Sequence, residues 1–234
     1  MLAQAATHGL DIEMLPAVSG AELTAEQRAC YDENRLRRYY NYRLTVNEIA
    51  CVLSHRKAME TFLASKADFL VLLEDDVELS PHFKAGICEL TEHLRGWEVA
   101  KLNIAFGRAR SIPLPPVEAL PEALKAVFNT RFGSGTIGFV YTRHAARIIY
   151  EGLEHFYLPA DSMIYQLILE HRLPTIAMDL LKHGYGDTPS CIPARTKGGR
   201  RTLAQYLRHR LRVYANNLRK RSLYRAVCRR VHRV

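Results

Sequence analysis

Apolar residues at three- and four-residue steps mark the first clear element of the chain. Ile49, Val52, Leu53, Met59, Phe62 and Leu63 fall on one face of a helix over 45–65. Thr45, followed three residues later by Glu48, fits a capping box at its start. Ser65–Asp68 closes it. The pattern then changes to an unbroken apolar run, Phe69 to Leu73, which predicts a buried strand. Ser80-Pro81 reads as N-cap and first residue of another helix, with Phe83, Ile87, Leu90 and Leu94 inward. A second strand is expected at Val99–Phe106, and the prolines at 113, 115, 116 and 121 make 107–121 a loop. Thr136–Tyr141 reads as extended and leads into a helix from Thr142 to Gly152. Pro159 precedes a further helix, 161–172. Residues 1–44 predict a short helix, a turn around Pro16–Gly20 and a polar Arg/Tyr-rich stretch. Residues 174–199, rich in Pro and Gly, read as irregular. Helices alternating with apolar strands predict an α/β sheet domain.

The apolar run at 69–73 empties into three acids, Glu74, Asp75 and Asp76. Like charges at that spacing repel unless something pairs them. An acidic turn is one reading, and a divalent cation is the other. The C-terminal ends of strands are where open α/β sheets hold ligands, and oxygen-only donors suit Mg²⁺ or Mn²⁺. Glu74 and Asp76 share a side if the strand persists through them.

Charge changes the picture at the other end. The formal net charge is +9, yet fourteen of the 33 Lys and Arg lie between Arg195 and Val234, where there is no Asp or Glu. The rest of the chain is net acidic, so the two parts meet different partners. We therefore divide the chain into a domain at 1–195 and a basic tail at 196–234. Within that tail Leu203, Leu207, Leu211, Tyr214 and Leu218 recur at helical steps among arginines. That pattern suits an anionic membrane surface. Nucleic acid is the disfavoured alternative, because no binding motif accompanies the charge. No eighteen-residue apolar stretch predicts a transmembrane helix, and the first residues lack the pattern of a signal peptide. Five scattered cysteines without CxxC spacing argue for a reducing compartment and against a disulfide framework or zinc cage.

Four further features carry candidate chemistry. GSGTIG, Gly133–Gly138, matches GxGxxG by letter, but its glycines feed an extended FVYT instead of a helix. A dinucleotide site is therefore not expected, and a turn or a close backbone approach to substrate is. Asp161, just after Pro159, reads as an N-cap, as a general base at a helix mouth, or as both. Ser54-His55-Arg56 lies on the 45–65 helix, where His55 could orient a partner and Arg56 could meet phosphate, or the three could form a polar face. His183, Tyr185 and Asp187 lie in the Gly-rich HGYGD, where a late histidine can complete a metal site or be simply solvated.

In order, NEIACVLSHRKAMETFLASKADFLVLLEDDVEL resembles the signature segment of glycosyltransferase family 25, the bacterial lipooligosaccharide and lipopolysaccharide transferases. GSGTIGFVYTRHAARII resembles the family's Gly-Thr, strand and helix segment, and LPADSMIYQ its Pro-x-Asp segment. The resemblance spans about residues 10–195. It implies a GT-A-like nucleotide-sugar-binding sheet flanked by helices. It also implies inverting transfer of a sugar, often galactose, from a UDP-sugar to a lipid-linked oligosaccharide core at the cytoplasmic side of a bacterial inner membrane. By the resemblance Glu74-Asp75-Asp76 stands in the place of the family's metal-binding acid-x-acid motif, so Glu74 and Asp76 are expected to hold Mn²⁺ or Mg²⁺, with His183, from the reading of its loop, as the candidate third ligand. Ser54, His55, Arg56, Asp75, Gly135 and Thr136 line the donor site, and Asp161 is the base with Asp187 second. The family opens with an apolar strand, whereas MLAQAATHGLD resembles the middle of the helix after it. The expected fold therefore lacks the first strand, and a truncated or inactive remnant is the alternative reading.

Overall fold

A computed structural model describes residues 1–104, 111–114, 126–129, 135–183 and 200–233. Its helices are α1 (Leu2–Thr7), α2 (Ala25–Ala29), α3 (Glu33–Arg37), α4 (Val46–Ala64), α5 (Phe83–Cys88), α6 (Arg143–Gly152), α7 (Ala160–His171) and α8 (Leu203–Arg230). Its strands are β1 (Phe69–Leu73), β2 (Val77–Leu79), β3 (Leu94–Arg95), β4 (Val99–Lys101), β5 (Ser111–Pro113), β6 (Val127–Asn129), β7 (Gly138–Thr142), β8 (Thr175–Ala177), β9 (Leu181–His183) and β10 (His232–Arg233).

The six-stranded sheet has the order β1-β7-β4-β8-β6-β5. β7 runs antiparallel to both β1 and β4, whereas β4 and β8 are parallel. The sheet is therefore mixed, with helices packed around it, as the alternation of elements predicts. β4 and β8 are buried along their length. Phe62, Met59, Tyr141, Ile149 and Leu167 join them in the principal core, so α4, α6, α7 and the sheet close on one another.

Local chemistry explains the elements read correctly. In α4 the Thr45 backbone N–H donates to Glu48 Oε2 at 2.9 Å, and the Glu48 N–H donates back to Thr45 Oγ1 at 3.2 Å. Two otherwise unpaired donors of the first turn are thereby satisfied. At the start of α6 the Thr142 hydroxyl accepts from Ala145 N at 3.2 Å, a single-sided cap.

Four expectations are corrected. The helix after β2 begins at Phe83, with His82 rather than Ser80 at its N-cap. Ser80 N donates to Leu180 O and Phe83 N donates to Ser80 O, so Ser80-Pro81 is a turn. Leu94 belongs to β3, paired with β10. Ser111–Pro113, inside the 107–121 stretch read as a loop, is β5, and it pairs with β6. Thr175–Ala177 and Leu181–His183, inside a stretch read as irregular, are β8 and β9. Three-residue strands carry no period of their own, and partners on either side create them: β8 lies between β4 and β6. In the Arg/Tyr-rich stretch, α3 forms because Asp32 Oδ1 accepts from Arg35 N at 2.8 Å.

The basic segment is one long helix, and it is docked. Gln205 Nε2 donates to Arg37 O at 2.8 Å and Asn216 Nδ2 donates to Gln166 Oε1 at 3.0 Å. Arg212 Nη2 donates to the Tyr40 hydroxyl at 2.6 Å. Leu223 and Val227 are buried. No described helix is long and apolar enough to cross a membrane.

Candidate active site

β1 carries the chain to Glu74, whose N–H donates to Ile137 O at 3.0 Å. The Thr136 hydroxyl donates to Glu74 Oε1 in a short hydrogen bond. One residue earlier, Gly135 N donates to Asp161 Oδ2 at 3.3 Å, while Ser162 N donates to Asp161 Oδ1 at 2.5 Å. The pair Gly135-Thr136 thus bridges two carboxylates that lie 87 residues apart along the sequence. Gly135 adopts φ +69°, and among the described residues beyond its chain neighbours no atom lies within 4 Å of where its Cβ would be. Its glycine serves backbone conformation there, not packing. Gly138 differs: a Cβ would come within 2.2 Å of Leu181 Cδ1. The chain between Gly135 and β7 is not helical.

Asp161 is not the N-cap of α7. Pro159 occupies that position, without a side-chain bond, and Asp161 lies in the first turn. Its carboxylate instead reaches Ser162 and Gly135, and a negative charge there complements the helix dipole.

α4 lays a buried face against this pair. His55 is buried, and its Nδ1 has no hydrogen-bond partner among the described residues. Burial lowers its pKa to about 4, against the opposing pull of Asp161, so the ring is neutral at pH 7. Burial pushes the Cys51 thiol up to about 12, aided by Glu74, Asp161 and Glu48. From the sheet, Lys101 at the end of β4 is fully buried. Burial lowers its pKa to about 8, opposed by the attraction of Asp161 and Glu74. Its Nζ lies 5.8 Å from the centre of the Phe139 ring. The charges of Asp161 and Glu74 therefore act on groups from both the helix and the sheet.

The other candidates are placed as follows. The Ser54 hydroxyl donates to Ala50 O and accepts from Val18 N, both at 2.9 Å, fastening the 10–20 segment to α4. Arg56 lies 4.4 Å over the Tyr150 ring. With Leu53, Lys57 and Glu60 it lines a groove beside α2, whose wall includes Glu26, Gln27 and Cys30. Of the Ser-His-Arg triplet, His55 alone is brought under the influence of Asp161. β1 ends at Leu73, and Asp75-Asp76 form an exposed turn before β2. Glu74 and Asp76 are therefore not held on one side by a continuing strand. β9 pairs with β2 so that His183 is the register partner of Val77, one residue past Asp76. Asp187 and Tyr185 lie outside the described residues.

Among the described residues no group of three or more His, Cys, Asp or Glu is placed to hold a metal ion. The acidic pair is nonetheless a donor set of the kind Mg²⁺ and Mn²⁺ use, with one or two carboxylates and the remaining positions filled by water and substrate phosphates. Sequence reasoning missed Lys101 and Cys51. The signal for Lys101 was a single charge inside the otherwise apolar VAKL.

Residues 1–164 match the family model described as glycosyltransferase family 25 (LPS biosynthesis protein). The chain belongs to glycosyltransferase family 25. A "Glycosyltransferase 25 family member" of Aedes aegypti is 34% identical over 109 residues, covering 44% of this chain and 17% of that protein. The Drosophila melanogaster member is 31% identical over 142 residues, covering 59% and 23%. Mouse "Procollagen galactosyltransferase 2" is 26% identical over 161 residues, covering 66% and 25%. The matches thus span a quarter or less of these relatives' length. The family 25 match contains Glu74, the Gly135-Thr136 bridge and Asp161, and ends before His183 and α8.

His55 gives this family 25 member a pH signature. Its folded pKa of about 4 lies below the ordinary 6.5. Between those values the unfolded chain binds the extra proton, so the neutral ring's contribution is full above pH 6.5 and is lost as pH falls towards 4. Its size is on the order of 3 kcal/mol. Denaturant midpoints at several pH values should show a steeper acid decline for the native chain than for His55→Leu.

Proposed function

We propose that this chain transfers a hexose, galactose in the first instance, from a UDP-sugar to a hydroxyl of a lipid-linked lipooligosaccharide or lipopolysaccharide core. The transfer inverts the anomeric carbon on a GT-A-like sheet, at the cytoplasmic side of a bacterial inner membrane. The family description supports the acceptor class. The name of the mouse relative supports the sugar. The observation that carries the reading is the Gly135-Thr136 bridge, which ties Glu74 at the end of β1 to Asp161 at the mouth of α7.

In this reading Asp161 accepts the proton of the acceptor hydroxyl as its oxygen attacks the anomeric carbon from the face opposite the diphosphate. The bond from that carbon to the diphosphate breaks, and the electron pair leaves with the diphosphate. Asp187 is the second candidate for the base. Gly135, Thr136 and His55 border the reacting groups, His55 as a neutral ring. Glu74 and Asp76, with His183 as third candidate, would hold Mn²⁺ or Mg²⁺. When bound, that ion supplies positive charge to the leaving diphosphate. Ser54, Arg56 and Asp75 are the outer candidates for donor contacts.

Calorimetric titration of UDP into the purified chain, with and without Mn²⁺, tests the donor site. Binding should require Mn²⁺, and Asp76→Ala should abolish it. A well-folded native chain that binds no UDP with Mn²⁺ present would overturn the uridine donor.

A further inference from the structure

The docking of α8 settles which of its faces is free. Gln205, Arg212 and Asn216 bond the body, and Leu223 and Val227 are buried against it. These residues recur at helical steps along one line. Leu203, Leu207, Leu211, Tyr214 and Leu218 recur along another, each between 48% and 74% exposed. At 100° per residue the two lines lie on opposite sides of the helix. The apolar row therefore points away from the body, and the hydrogen bonds of the opposite face hold it there. It runs about 22 Å along the helix. Arg208 and Arg210 flank it, and Arg221 and Arg225 continue its line towards the C-terminus, all four exposed. No Asp or Glu occurs between Arg200 and Arg233.

An exposed apolar stripe of this length marks an interaction surface. Its surroundings choose the partner. A nucleic acid would meet arginines at the centre of the face, where phosphates are contacted. Here leucines hold the centre and arginines the flanks. That order fits a lipid surface, in which side chains at the centre enter the acyl boundary and flanking guanidinium groups stay at the headgroups. The absence of acids makes an anionic surface the complementary one. We propose that the outward face of α8, from Leu203 to Leu218 with its flanking arginines, seats this chain on an anionic membrane. The proposal rests on the lipid-linked acceptor argued above for its purpose, though not for its physics.

The test is sedimentation of the full chain with phosphatidylcholine vesicles, with and without about one-third phosphatidylglycerol. The native chain should partition at least tenfold more strongly onto the anionic vesicles, and added salt should weaken it. Leu207→Ser with Leu211→Ser should lower that partition at least tenfold, as should Arg208→Gln with Arg210→Gln and Arg221→Gln. All these positions are exposed, and the denaturant midpoint of each variant serves as the control for folding, with manganese-dependent UDP binding measured alongside. A native chain that ignores anionic vesicles would overturn the proposal. So would leucine variants that sediment like the native chain, or a single-stranded RNA oligonucleotide that binds more tightly than vesicles and indifferently to the leucines. If UDP binding fails while vesicle binding holds, the donor reading falls and the membrane face stands.

Discussion

Replacing Asp161 with asparagine is expected to lower turnover by about 10²- to 10⁴-fold, the range that a positioned general base contributes. The substitution keeps shape and keeps one acceptor oxygen. That oxygen can still take the N–H of Ser162 or Gly135, though not both. Loss of one such bond costs about 1 kcal/mol, so the fold should survive. Donor affinity should change little, because the variant leaves Glu74 and Asp76 untouched. A fall in kcat with UDP binding intact therefore separates the base from the donor site. Should the variant turn over like the native chain, the base lies elsewhere, with Asp187 next in order.

The long elements were legible because each carries its own signal. α4 has both a capping box and an apolar face, β1 an unbroken apolar run, and α6 a Thr cap. β8 had none of these. Its three residues lie between Pro174 and Met178, and only β4 and β6 make them a strand. The site divides in the same way. Glu74, Gly135, Thr136 and Asp161 could each be named from local sequence, but the bonds joining them span 26 and 62 residues. No local pattern encodes such bonds. The Ser54-His55-Arg56 triplet shows the converse. Neighbours in a helix are turned 100° from one another, so three consecutive residues reach three environments. Ser54 holds the Val18 backbone, His55 is buried within reach of the Asp161 charge and Arg56 covers Tyr150. Lys101 was passed over because a lysine inside a strand is ordinarily at its solvated face, and this one is fully buried.

Lys101→Met is expected to make the protein more stable at pH 7 and a worse transferase. The ammonium group has a folded pKa of about 8 against an ordinary 10.5, with burial the larger cause and Asp161 and Glu74 opposing it. Between those values the unfolded chain binds more protons than the folded one, so stability rises with pH across that window. Below pH 8 the fold bears the whole cost of the buried charge, on the order of 3 kcal/mol. Methionine keeps the unbranched stem without the charge. Removing the cation also deprives Glu74 and Asp161 of its attraction, but both are only partly buried and each keeps its own hydrogen-bond donor. The expected net gain is about 1–3 kcal/mol at pH 7, shrinking as pH rises above 8. Denaturant midpoints of the two chains at pH 7 and pH 9.5 read it directly. Turnover should fall in the same variant, because a cation kept at a cost in stability beside the two carboxylates of the proposed site is the pattern of a functional group. A variant less stable than the native chain at pH 7 would instead make Lys101 the counter-ion that holds Glu74 and Asp161 in place.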